Sequence, residues 1–122
     1  MNRYAAEGII MRAFEDAQRF VIVNHNAHAS REAFNELRSA ASRMGVDSTA
    51  TVQAANGQEQ YSYQHGGNIR FITLSKGDTL RGVTADTIYI DGETTDAALT
   101  TTMMQDMHAS IAASPHGEII QA

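Results

Sequence analysis

Apolar residues at Tyr4, Ile10, Phe14 and Ala17, supported by Ala6 and Ala13, recur near a 3.6-residue period, while Glu7, Glu15 and Asp16 fall off that face. This spacing predicts an amphipathic helix over 3–18, weakened by Gly8. Phe20-Val21-Ile22-Val23 is a continuous, β-branched run that predicts a strand buried on both faces. Ser30 is placed to cap a second helix, whose apolar stripe is Ala33, Phe34, Leu37, Ala41 and Met44 and which Gly45 ends. Three β-leaning segments follow at 49–53, 60–64 and 69–74, separated by Asn56-Gly57 and Gly66-Gly67, dipeptides that permit tight hairpin turns. Thr87-Ile88-Tyr89-Ile90 reads as another buried strand. Thr94 or Thr95 then caps a helix carrying Leu99, Met103, Met107 and Ile111, broken by Pro115 and Gly117 before a last short strand at 118–121.

Helices alternating with buried strands, plus one antiparallel insertion at about 48–74, predict an α/β layered architecture. At 122 residues the chain is expected to form a single domain, 1–122, and to be small for a complete motor ATPase. Nine Lys and Arg against fourteen Asp and Glu give a net charge of −5, so the overall field disfavours nucleic acid. With no cysteine, disulfides and thiolate metal sites are excluded, and a reducing cytoplasm is the expected compartment. The apolar runs are too short to span a bilayer, so no membrane role is expected.

Residues 67–92 carry the most specific pattern. Gly67-Asn68-Ile69-Arg70-Phe71-Ile72-Thr73-Leu74-Ser75, then Leu80-Arg81-Gly82-Val83-Thr84-Ala85-Asp86, then Thr87-Ile88-Tyr89-Ile90-Asp91-Gly92, resembles the Walker B region of the ATPase domains of phage terminase large subunits and related helicases. In that family an edge strand precedes an Arg-Gly-x-x-Ala-Asp loop and a hydrophobic strand ending Asp-Glu. The order of elements is similar to the family's from the helix after the P-loop onwards. The resemblance implies a truncated P-loop NTPase-like fold: three layers, a mostly parallel sheet with helices on both faces, and an antiparallel β-meander insertion.

In the family the strand-ending Asp orients water on nucleotide-bound magnesium, and the next acidic residue polarises the attacking water. Asp91 matches the first role and is the candidate metal ligand; Gly92 stands at the second, with Glu93 one residue later. No G-x-x-x-x-G-K-[ST] motif occurs in the sequence, and the one lysine, Lys76, lies in a Lys-Gly-Asp surface turn. The resemblance therefore implies a scaffold without catalysis and without a cofactor, in which Asp91 and Glu93 are relics and Arg81 and Asp86 pin a loop. The family's strand before the P-loop normally lies between the Walker B strand and the coupling strand. Its loss predicts either that 118–121 closes against 87–90 or that a strand from another chain enters, with self-association, such as a homodimer, or a protein partner as the consequence.

Other candidates are less specific. His25 and His28 fit no complete ligand set and read as a polar loop. Met103, Met104 and Met107 can receive a partner helix or pack on their own sheet. Tyr61 and Tyr63 with Arg70 can offer a stacking face to bases, or serve as sheet tyrosines. The expected function is that of a non-catalytic phage-type accessory or regulatory protein acting by protein binding, located in the host cytoplasm if phage-encoded. Arg81, Asp86, Tyr61, Tyr63 and Arg70 are its interaction candidates. The alternatives are an NTPase half-site completed by a partner chain, using Asp91, Glu93 and Arg81, and a single-stranded nucleic-acid binding module.

Overall fold

In the computed structural model the described residues are 1–54, 59–78, 80–92, 94, 99–115 and 117–122. The strand β1 (Arg19–Asn24) organises them, because its side chains alternate between two apolar layers. Phe20 and Ile22 face one layer, Val21 and Val23 the other, and all four are buried. A strand loaded on both sides is stable only in the middle of a sheet covered twice. β1 accordingly pairs in parallel with β4 (Asn68–Thr73) on one side and with β5 (Thr87–Ile90) on the other.

The first layer is formed by α1 (Arg3–Glu15) and α2 (Ala27–Arg43), which contribute Ile9, Ile10, Ala33 and Leu37 to a core shared with Phe20, Ile22, Ile69 and Tyr89. The second is formed by α3 (Thr101–Ile111) and the 80–85 segment, whose Met107, Leu80 and Ala85 pack on Val21, Val23, Ile88 and Ile90. The architecture is thus the expected three-layer α/β arrangement. The sheet is completed by β2 (Ala50–Gln53), β3 (Gln60–Tyr63) and β6 (Glu118–Gln121), in the order β2-β3-β4-β1-β5-β6. β2, β3 and β4 form an antiparallel meander, while β4, β1, β5 and β6 run parallel.

Several local expectations are corrected. α1 ends at Glu15 rather than at 18, because the chain turns at Ala17, whose φ of 53° is left-handed and incompatible with a continuing helix. Its buried face is Ala6, Ile9, Ile10 and Ala13, whereas Tyr4 is 81% exposed. The cap of α2 is Asn26, whose side chain accepts from the Ala29 N–H, so the helix begins four residues earlier than a Ser30 cap would set it. His28 consequently lies on the helix, not in a loop. α3 is capped by Thr100, whose hydroxyl accepts from the Met103 N–H; Leu99 precedes it, and Thr95 lies outside the described residues.

β4 is not an edge strand. It is both the last strand of the meander and a member of the parallel sheet, so only β2 and β3 are added outside that sheet. At the other side β6 closes directly against β5, with Glu118 opposite Thr87 and Gln121 opposite Ile90. The sheet is therefore continuous, and of the two expected outcomes the closing of 118–121 is the one adopted. Between the Walker B-like strand and the coupling-like strand there is no gap for a foreign strand to fill. Of the turn dipeptides, Gly66-Gly67 closes the β3–β4 hairpin with Gly66 at φ 105°, while Asn56-Gly57 lies outside the described residues.

Candidate functional site

β1 and β5 lie side by side, but the helices that follow them leave to opposite faces: α2 to the layer of Ile22, α3 to the layer of Val23. Such a divergence leaves a crevice outside the carboxyl ends of the two strands, where open α/β sheets bind ligands. Asn24 ends β1 and Asp91 follows β5 there. The Asp91 N–H donates to the Val23 carbonyl at 3.0 Å, and the Asp91 carbonyl accepts from Thr94 N–H at 2.9 Å, so the carboxylate is held at a defined strand end. It is 8% exposed, and the Met1 amino nitrogen lies 3.9 Å from its Oδ1.

Of the five buried side-chain atoms without a partner among the described residues, three belong to the segments that meet at this end. Asn24 Oδ1, Ser30 Oγ and Thr94 Oγ1 are all buried and make no hydrogen bond among the described residues. Burying a polar atom without a partner costs on the order of 1–3 kcal/mol, and such costs concentrate at functional positions. Ser30, expected as a cap, is thus an interior residue of α2.

An open groove of about 640 Å³ runs from the start of α1 across the flank of α2 to the ends of β5 and β6. Among the described residues its lining carries the carboxylates Glu32, Glu36 and Asp91, with Tyr89 beneath and no lysine or arginine. Glu32 and Glu36 are spaced i, i+4 and so share one flank of α2. His28 Nε2 lies 3.1 Å from Glu32 and Arg43 Nη2 3.8 Å from Glu36. Burial, with the negative charge of Asp91 adding to it, raises the Tyr89 phenol above its ordinary value. Sequence reading missed this groove; the paired glutamates on one helical flank were its only signal.

Asp86, Arg81 and Asp91 do not form one site. Asp86 precedes β5 and Asp91 follows it, which at the strand rise separates them by roughly 16 Å. Asp86 Oδ2 accepts from the Arg19 N–H at 2.8 Å and from its Nε at 3.4 Å. Burial works to raise this carboxyl, but the hydrogen bonds from Arg19 and Ser114 and the Arg19 charge outweigh it and hold it below the usual carboxylate range. Asp86 therefore pins the loop to the sheet. Arg81 is exposed beside Gly82, whose φ is 78°, and makes no ion pair among the described residues. Leu80, its neighbour, is tied through its carbonyl to the Ser110 hydroxyl at the far end of α3. A shared phosphate contact by Arg81 and Asp91 is not what this arrangement provides.

Gly92 is packed so that a Cβ there would lie 3.1 Å from the Ala122 carbonyl oxygen, so a glutamate in its place would press on the end of β6. Glu93 lies outside the described residues. No group of three or more His, Cys, Asp or Glu side chains among the described residues converges to hold a metal ion. Nor is any described helix long and apolar enough to cross a membrane.

The aromatic candidates form no stacking surface. Tyr61 and Tyr63 are 1% and 5% exposed, packed beneath the helices with ring centroids 5.6 Å apart, and Phe14 meets Tyr63 edge-on at 5.3 Å. Burial raises both phenols, with mutual coupling and the Asp47 charge assisting at Tyr63 and the Asp47 charge at Tyr61. Arg70 is exposed but stands opposite Gln60, on the other face of the meander from Tyr61. The expected platform of Tyr61, Tyr63 and Arg70 thus fails, because strand alternation sends its members to opposite faces. Met107 is fully buried against its own sheet, with Met103 and Met104 beside it, so the methionines belong to the second core.

No family model matches the sequence, and no curated protein matches it. Among solved structures the chain is similar to the large terminase from a thermophilic bacteriophage, at 15% identity with a TM-score of 0.65. The match covers 96% of this chain and 29% of that one, so the chain spans under a third of the terminase's length. The fold is terminase-like.

Proposed function

We propose that this chain is a non-catalytic accessory or regulatory protein of phage type that uses a terminase-like scaffold to bind another protein in the host cytoplasm. The observation that carries this reading is the disparity between the frame and its chemistry. Asp91 stands at the carboxyl end of β5 as in a nucleotide-hydrolysing sheet, yet Gly92 follows it and the 122 residues hold no phosphate-cradling glycine-lysine loop. Backbone N–H groups and a lysine are what bind β- and γ-phosphates. The likeness to a phage terminase supports the phage setting.

The test is calorimetric titration with ATP and magnesium, paired with affinity capture from infected cells. The reading expects no nucleotide binding or hydrolysis and a stoichiometric protein partner. Hydrolysis by the isolated chain would sink it.

A second reading is an NTPase half-site completed by another chain. The position of Asp91 near the start of α1 favours it, since helix N-termini attract anions. Hydrolysis that appears only after the partner is added, and disappears in Asp91→Asn, would select this reading over the first.

A further inference from the structure

β6 is the end strand of a sheet whose other parallel members are paired on both sides. Its Glu118 and Ala122 N–H groups donate to β5, at the Asp86 and Ile90 carbonyls. Strand alternation therefore turns the Ile119 N–H and C=O outward, away from β5. Two of the four side chains of this edge are apolar and half-buried, Ile119 on the α3 layer and Ile120 on the α1 layer, while Glu118 and Gln121 are exposed. An unpaired edge whose central residues pack against helical layers on both faces is a template for a further strand.

The acidic groove opens beside the carboxyl end of the same strand, with Ala122, Gly92 and Asp91 common to both. Its carboxylates call for a cation. Among the described residues Glu32 is held by an exposed pair with His28 and Glu36 by a partly exposed pair with Arg43, both weak and exchangeable. Asp91 is nearly buried and already lies 3.9 Å from the Met1 ammonium, so Glu32 and Glu36 are the carboxylates open to a partner. The Glu32 and Glu36 carboxylates accept hydrogen bonds; a guanidinium or ammonium supplies them.

We propose that the β6 edge and the adjoining acidic groove form one docking surface for a protein partner that adds an extended strand beside β6 and places an arginine or lysine against Glu32 and Glu36 on the flank of α2. The proposal rests on the protein-binding reading and specifies its surface. Main-chain hydrogen bonds to Ile119 supply the generic part of the affinity, and the carboxylates supply selection for a basic residue at the strand's end.

The probe is a short synthetic peptide of alternating valine and threonine with arginine at both ends, compared with the same peptide ending in glutamate. Binding is followed by fluorescence anisotropy, and the Ile119 amide by NMR. The arginine peptide is expected to bind and shift the Ile119 amide, and the glutamate peptide to bind at least about tenfold more weakly, as close charge pairs do. Glu32→Gln with Glu36→Gln should weaken the arginine peptide about threefold to fivefold, in line with partly exposed ion pairs. Ile119→Pro should abolish binding while Ile119→Val retains it, and thermal melts establish that each variant is folded. If Ile119→Pro fails to fold, the glutamine pair and the amide shift decide.

Equal binding of the two peptides, or no shift at Ile119, overturns the proposal. A captured partner that binds Ile119→Pro as tightly as the parent removes this surface but leaves the protein-binding reading intact. Absence of any partner, together with failure of the peptide, removes both.

Discussion

The Asp86 carboxylate accepts a 2.8 Å hydrogen bond from the backbone N–H of Arg19, sixty-seven positions away in the chain, and the Arg19 side chain closes on the same oxygen at 3.4 Å. One acidic side chain thus fastens the start of β1 to the start of β5. The adjacent backbone does the same work, with Asp86 N–H donating to the Arg19 carbonyl and Glu118 N–H to the Asp86 carbonyl.

Removing that acceptor should leave the Arg19 N–H without its partner. Asp86→Ala is expected to destabilise the protein by about 2–3 kcal/mol, and Asp86→Asn, which keeps an acceptor but loses the charge, by about 1 kcal/mol. Urea unfolding at neutral pH measures both. Equal loss in the two variants would show that the charge alone matters.

The same carboxylate gives a pH dependence with a defined sign. Its folded value lies below the ordinary 3.8, so the stabilisation is fully present above 3.8 and is lost as the pH falls through the folded value. Acid titration of the parent should show a loss of stability in this window that is reduced in Asp86→Asn. At the alkaline end the sign reverses: Tyr61, Tyr63 and Tyr89 titrate above 10.0 when folded, so their contribution is lost as the pH rises beyond that value. Ultraviolet titration of the phenols follows it directly.

Two glycines should respond in opposite directions to the same substitution. A Cβ at Gly67 would sit 1.9 Å from the Ala13 carbonyl oxygen, which is helix backbone and cannot rotate away. Gly67→Ala is expected to cost more than about 2 kcal/mol. At Gly8, inside α1, a Cβ meets nothing within 4 Å. Gly8→Ala should therefore raise stability by about 0.5–1 kcal/mol through helix propensity alone. Thermal melts of the two variants decide.

Arg31 holds the carboxylate of Glu59, whose side chain is 5% exposed, at 3.7 Å, and donates to the Ala54 carbonyl at 2.7 Å. Arg31→Ala should leave a nearly buried charge without its ion pair and cost about 2–3 kcal/mol. Glu59→Gln in the same background is expected to restore part of the loss, measurable as a double-mutant cycle.

The strands and layers were legible because burial on both faces writes itself as a continuous apolar run, as in Phe20–Val23 and Thr87–Ile90. The terminase-like fold was legible from residues 67–92, where a turn, a strand and a strand-ending aspartate keep a recognisable spacing. Helix starts were less so: Asn26 outcompetes Ser30 as a cap because its side chain meets the Ala29 N–H, and sequence offers both residues without ranking them. The place of β4 was hidden because a strand that pairs antiparallel on one side and parallel on the other has no distinct sequence pattern. The candidate site was the least legible. Tyr61 and Arg70 appeared as neighbours in sequence order, but alternation separates them, and the acidic groove draws on α2 and β5, which no linear spacing connects.

The dual pairing of β4 has a consequence for how the chain folds. β1 does not pair with β2, the strand that follows it in sequence; it waits for β4 and β5, which follow much later in the chain. The β3–β4 hairpin, by contrast, closes over a short turn at Gly66-Gly67. Local closure is entropically cheaper than distant pairing, so that hairpin can form early and present β4 as the ready-made edge onto which β1 docks. The outer strands then serve assembly as much as architecture, since they hold open the place that β1, buried on both faces, must find.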